Sequence, residues 1–129
     1  MRYEYHGSFF GDLNQIAHLT KYLLHSLENI AYDKSRLFDV RLILSELLIN
    51  GYEHGNRKNR NKRIFLTLRL DNERLKVTVE DEGEGMNQPM CNPFNMDCCS
   101  GRGLLLVEQL ADQLNIDQNR VTAILENQK

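Results

Sequence analysis

Between Leu13 and His54 the apolar residues recur at three- and four-residue steps, and from Ile64 to Val79 they alternate with polar ones. Few folds accommodate that switch of period. A helical stretch ahead of a hairpin cannot build parallel βαβ units. It calls for helices on one face of a largely antiparallel sheet. The expected fold class is therefore α+β, a two-layer α/β sandwich with a mostly antiparallel sheet packed on three helices. A chain of 129 residues suits one domain spanning 1–129, long enough to bury its own core.

The order of elements follows from local signals. RYEYHGSF (2–9) reads as an edge strand. Asp12 is placed to cap a first helix, with Gln15 at the capping-box position and Leu13, Ile16, Leu19, Leu23, Leu27 and Ile30 at helical spacing. Asp33 caps a second helix running to about His54, where Gly55 and Asn56 stop it. IFLTLRL (64–70) and LKVTVED (75–81), joined by DNER, form a β-hairpin. No periodicity survives over 82–100, and a segment of that length between regular elements is a candidate lid. Helical spacing resumes in GRGLLLVEQLADQL (101–114). LNIDQNRVTAILE closes the chain with two short strands about a turn at Gln118 to Arg120.

Composition excludes several classes. The net charge of -2 gives no overall basic footprint, and the cationic run NRKNRNKR (56–63) reads as a solvated connection, so no direct nucleic-acid contact is expected. No apolar run approaches the roughly 18 residues of a membrane span. The first residues, MRYEYHGSFF, lack the apolar centre of a signal peptide, so a cytoplasmic protein with no membrane contact is expected. Cys91, Cys98 and Cys99 are odd in number and lack Cys-x-x-Cys spacing, which reads as free thiols.

Three polar clusters remain. Glu46, Asn50 and His54 lie at successive four-residue steps, which places them along one edge of a helix. DEGEG (81–85) ends a strand, and SGRGL (100–104) opens a helix. Singly, each has an ordinary explanation: a solvated stripe, a turn, a loop. Together they suit a nucleoside triphosphate. Asp81 is an acceptor for the exocyclic amine of adenine. Gly83 and Gly85 let a flat base approach the backbone. Gly101 and Gly103 bare N–H groups at a helix start, where phosphate is favoured. Arg102 either adds a cationic hydrogen bond or points to solvent. The Asn50 amide oxygen suits Mg²⁺, and Glu46, one turn earlier, is placed to accept a proton from an attacking hydroxyl or water.

This constellation resembles the GHKL ATP-binding superfamily, the histidine kinase-like ATPases. Glu46 to Asn50 looks like its N box, DEGEG its G1 box and SGRGL its G2 box. ELLINGYEHGN, PFN (93–95) and SGRGLLLVEQLADQL are further similar to the bacterial anti-sigma factor serine/threonine kinases. The resemblance runs from about residue 8 to residue 126.

The resemblance implies ATP and Mg²⁺ as cofactors, Glu46 as catalytic base and Asn50 as metal ligand. It implies Asp81, Gly83 and Gly85 around adenine, and Gly101, Arg102, Gly103 and Leu104 around the phosphates. It places Thr122 near the base, and leaves His54 either packing at the helix end or touching ligand. The implied partners are a sigma factor and a STAS-type anti-anti-sigma protein, within a homodimer. Two other functions stay open: an ATP-dependent binding switch with little phosphoryl transfer, and a detached histidine kinase catalytic domain. Glu46 favours the kinase over the switch, and the absence of a histidine-bearing substrate helix disfavours the third.

Overall fold

In the computed structural model, residues 2–30, 32–59, 61–83 and 101–127 are described, with backbone alone for 101–103. The order is β1 (Tyr3–Phe10), α1 (Leu13–Asn29), α2 (Lys34–Asn50), a π-helical turn (Gly51–Gly55), β2 (Arg63–Leu70), β3 (Arg74–Asp81), α3 (Gly101–Leu110), β4 (Gln113–Asp117) and β5 (Arg120–Glu126). The five strands form one sheet in the order β1-β2-β3-β5-β4, antiparallel at every pairing. The α+β two-layer sandwich expected from the sequence is the fold observed.

Caps define the helices. The Asp12 carboxylate accepts the Gln15 backbone N–H at 2.8 Å. The Asp33 carboxylate accepts from both the backbone N–H and the hydroxyl of Ser35, at 3.0 and 2.8 Å. Each removes one of the unpaired donors that open a helix. Leu13 stands at the first turn of α1 and stays half exposed, while Thr20 takes a buried place beside Ile16, Leu23 and Leu27.

Strand alternation sorts residues between two faces. Ile64, Leu66, Leu68 and Leu70 of β2, Leu75, Val77 and Val79 of β3, and Val121, Ala123 and Leu125 of β5 are buried in one core with Val40, Ile43, Leu44, Leu47 and Leu48 of α2. Leu104 and Val107 carry α3 into the same core. The opposite face of the sheet is polar and open, with ion pairs Arg69–Glu4, Arg74–Glu126 and Arg120–Glu80 across neighbouring strands.

Two boundaries differ from the sequence reading. The last helix ends at Leu110 rather than Leu114, because 113–117 pair with β5. The second helix does not run on as an α-helix to His54: after Asn50 it widens into the π turn, closed by the Asn56 N–H bonding the Gly51 carbonyl at 2.7 Å. Among the described residues, no helix is long and apolar enough to cross a membrane.

Candidate functional site

The buried row of β3 runs Leu75, Val77, Val79 and then Asp81. The period that sends three aliphatic side chains under the helices sends a carboxylate to the fourth place. Asp81 is only 6% exposed. Its Oδ1 accepts the Gly83 N–H at 2.8 Å. Burial pushes its pKa upward, the Gly83 bond pulls the other way, Glu80 adds to the rise and Lys62 opposes it.

The π turn meets this carboxylate directly. A β-carbon at Gly55 would stand 2.0 Å from Asp81 Oδ2, and one at Gly83 would stand 1.9 Å from the Gly55 carbonyl oxygen. Only glycine at both positions allows the backbones to close on the aspartate this tightly. At Gly51 the nearest atoms are 3.7 Å or more away, an ordinary contact.

Asn50 ends α2 and is 8% exposed, yet among the described residues its Oδ1 has no hydrogen-bond partner. A buried acceptor without a donor is costly unless something else binds it. Glu46 lies one α-helical turn earlier, half buried. The two share an edge, as the spacing predicts. His54 lies four residues further on, inside the π turn Gly51–Gly55.

The helix-opening glycines also fall where expected in the backbone: α3 begins at Gly101, so 101–103 form its first turn. Leu104 has no exposed side-chain surface and packs in the core, so only its backbone is available to a ligand. Thr122 is not brought to the site. It sits between Val121 and Ala123, which face the helices, and so points to the opposite, open side of the sheet. There its hydroxyl lies 3.4 Å from that of Thr78, in a shallow depression of about 540 Å³. Gly85, the lid over 86–100, Cys91, Cys98 and Cys99 lie outside the described residues, as does the Arg102 side chain.

Two asparagines were missed from sequence. Asn56 is 1% exposed. Its Oδ1 accepts the Glu82 N–H at 2.8 Å and its Nδ2 donates to the Arg63 carbonyl at 3.0 Å. Asn119 grips Asp81: its carbonyl accepts the Asp81 N–H at 3.1 Å, and its Nδ2 donates to the Asp81 carbonyl. Both are ordinary turn residues in the sequence, and no local signal marks either as a clamp.

These residues fit an adenine nucleotide with a hard cation. Asp81 Oδ2 is a buried acceptor lying against Gly55, and Asn50 Oδ1, unpaired among the described residues, is a neutral oxygen of the kind Mg²⁺ accepts alongside water and phosphate. Among the described residues no three His, Cys, Asp or Glu side chains come together.

A family model described as the histidine kinase-like ATPase domain matches residues 9–126. The chain belongs to that family. This histidine kinase-like ATPase domain is also similar to the anti-sigma F factors of Bacillus subtilis (strain 168) and Bacillus velezensis, each 25% identical over 89 residues. The anti-sigma F factor of Shouchella clausii is 26% identical over 86 residues. The first two matches cover 64% of this chain and 61% of the relative; the third covers 62% and 59%. The chain thus spans about three-fifths of the length of the curated relatives it matches.

Proposed function

We propose that the protein is an ATP-dependent serine/threonine protein kinase of the anti-sigma type. In this reading it binds a sigma factor and phosphorylates an anti-anti-sigma protein, in the cytoplasm and as a homodimer. The observation that carries the nucleotide site is the buried Asp81 carboxylate closed in by Gly55 and Gly83. The similarity to proteins named anti-sigma F factor supports the choice of partners.

Each residue has a separate task. Asp81 accepts the adenine amine and thereby fixes the base. Asn50 holds Mg²⁺, which when bound offsets charge on the phosphates. The N–H groups at the start of α3 face phosphate oxygens, where the helix dipole favours negative charge. Glu46 accepts the proton of the attacking hydroxyl as that oxygen adds to the terminal phosphorus; ADP leaves with the electrons of the broken P–O bond.

Isothermal titration with ATP and Mg²⁺, paired with transfer of labelled phosphate to a captured anti-anti-sigma partner, tests the reading. No binding at millimolar nucleotide removes it. Nucleotide-dependent capture of a partner without any transfer replaces the kinase with a binding switch.

A further inference from the structure

We propose that Asn119 and Asn56 are positioning residues for base recognition, a two-sided clamp on the backbone of residues 81–83; this rests on the nucleotide reading above. The β3–β5 ladder formally ends at Glu80 opposite Arg120. The next pair is Asp81 and Asn119, and there the ladder continues in altered form. The Asp81 N–H bonds the Asn119 carbonyl as in a regular antiparallel pair. The return bond to the Asp81 carbonyl comes from the Asn119 side-chain amide, which stands in for a backbone N–H. The substitution has a local cause. Asn119 occupies the turn between β4 and β5, next to Gln118 at φ 55°, so its own backbone is no longer extended along β3.

Asn56 holds the following residue from the other side. It ties the Glu82 N–H to the end of the π turn, and through Nδ2 it ties that turn to the first residue of β2. The Glu82 carboxylate then accepts the Arg63 N–H at 2.7 Å, which closes the ring of bonds. Three consecutive N–H groups, those of Asp81, Glu82 and Gly83, are thus each spoken for by a different acceptor. Among the described residues Asp81 Oδ2 is left without a donor, and its direction is set by the backbone that carries it. A site that reads one base edge needs its acceptor held within a fraction of an ångström. Neither asparagine touches the base; each acts through Asp81 and its neighbours.

The test compares ADP and GDP affinities by titration for wild type, Asn119→Ala, Asn119→Asp and Asn56→Ala, with thermal unfolding of each in parallel. GDP presents a carbonyl where ADP presents an amine, so the ratio of affinities reports how well Oδ2 is aimed. Asn119 is partly exposed, so its variants are the ones expected to fold readily. Asn119→Ala and Asn56→Ala are each expected to lose about 5-fold in ADP affinity, the scale of one hydrogen bond, and the preference for ADP over GDP should narrow with it. Asn119→Asp keeps the shape but opposes two acceptors, so it should lose more than Asn119→Ala. Folded Asn119 variants with wild-type ADP affinity overturn the clamp. So does weaker binding at an unchanged ADP-to-GDP ratio, which marks a role in stability alone. A wild type that binds neither nucleotide removes the nucleotide reading and the clamp together.

Discussion

Gly55 lies so close to Asp81 that a single added carbon would stand 2.0 Å from the carboxylate oxygen. The π turn makes this contact. An α-helix continued through the same residues would end elsewhere, and the aspartate would face a gap or a different side chain. The contact also explains why two glycines four positions apart have unequal roles: Gly51 has room around it and Gly55 has none.

That inequality is measurable. Gly55→Ala should destabilise the chain by about 1–3 kcal/mol, the range for overpacking, and abolish nucleotide binding. Gly51→Ala sits at ordinary helical angles, φ -61° and ψ -41°. It should be neutral or stabilise by up to about 1 kcal/mol. Denaturant unfolding of both variants gives the comparison, and equal effects would deny the close approach at Gly55.

Asp81→Asn should separate stability from binding. Desolvation raises the folded-state pKa of Asp81. A raised carboxylate contributes stability that is present below its unfolded pKa and lost as pH rises through the folded value. At neutral pH the buried charge is therefore a burden, and the asparagine variant should melt higher than wild type without nucleotide. The gap should shrink as pH falls into the carboxylate range. Its affinity for adenine nucleotides should drop by about 1–3 kcal/mol. Melting curves across pH, beside titrations, check both halves.

Glu46→Gln keeps the side chain's shape and removes its basicity. Nucleotide affinity should survive while phosphoryl transfer falls by about 10²–10⁴-fold. Asn50→Ala should instead remove the Mg²⁺ dependence of binding. Transfer of labelled phosphate at the wild-type rate by Glu46→Gln would take the base role from Glu46.

Thr122→Val tests the corrected position. With its hydroxyl on the open face of the sheet, beside Thr78, it should bind ATP as wild type does. A lost nucleotide affinity would place Thr122 back at the ligand.

The sequence showed what local chemistry determines. Asp12 and Asp33 cap the helices they were expected to cap, because a short acceptor before a helix has few other uses. Asp81 was legible as the carboxylate of DEGEG at a strand end, and its burial follows from the alternation of Leu75, Val77 and Val79. The end of α3 was not legible. Leu114 fits a four-residue step from Leu110 and equally an alternation with Ile116, and only pairing with β5 decides between them. The π turn and the two asparagines escaped for a related reason. Asn56 and Asn119 read as turn formers, and their side chains bond Glu82 and Asp81, which are distant from them in the chain. Thr122 was misplaced because a motif position carries no information about which face of a strand it occupies, whereas alternation does.

The strand order has a consequence for the life of the chain. β3 and β5 are neighbours in the sheet, but residues 82–119, which include α3 and β4, separate them in sequence. The grip on Asp81 therefore joins Gly55, Asp81 and Asn119 from three separate stretches, and none of those stretches makes it by itself. On the proposed reading, a nucleotide that needs this arrangement recognises the folded chain and ignores the unfolded one. By mass action, ligand at one hundred times its dissociation constant adds about 2.7 kcal/mol to unfolding. On the proposed reading, the supply of adenine nucleotide therefore sets how often the chain opens to proteases.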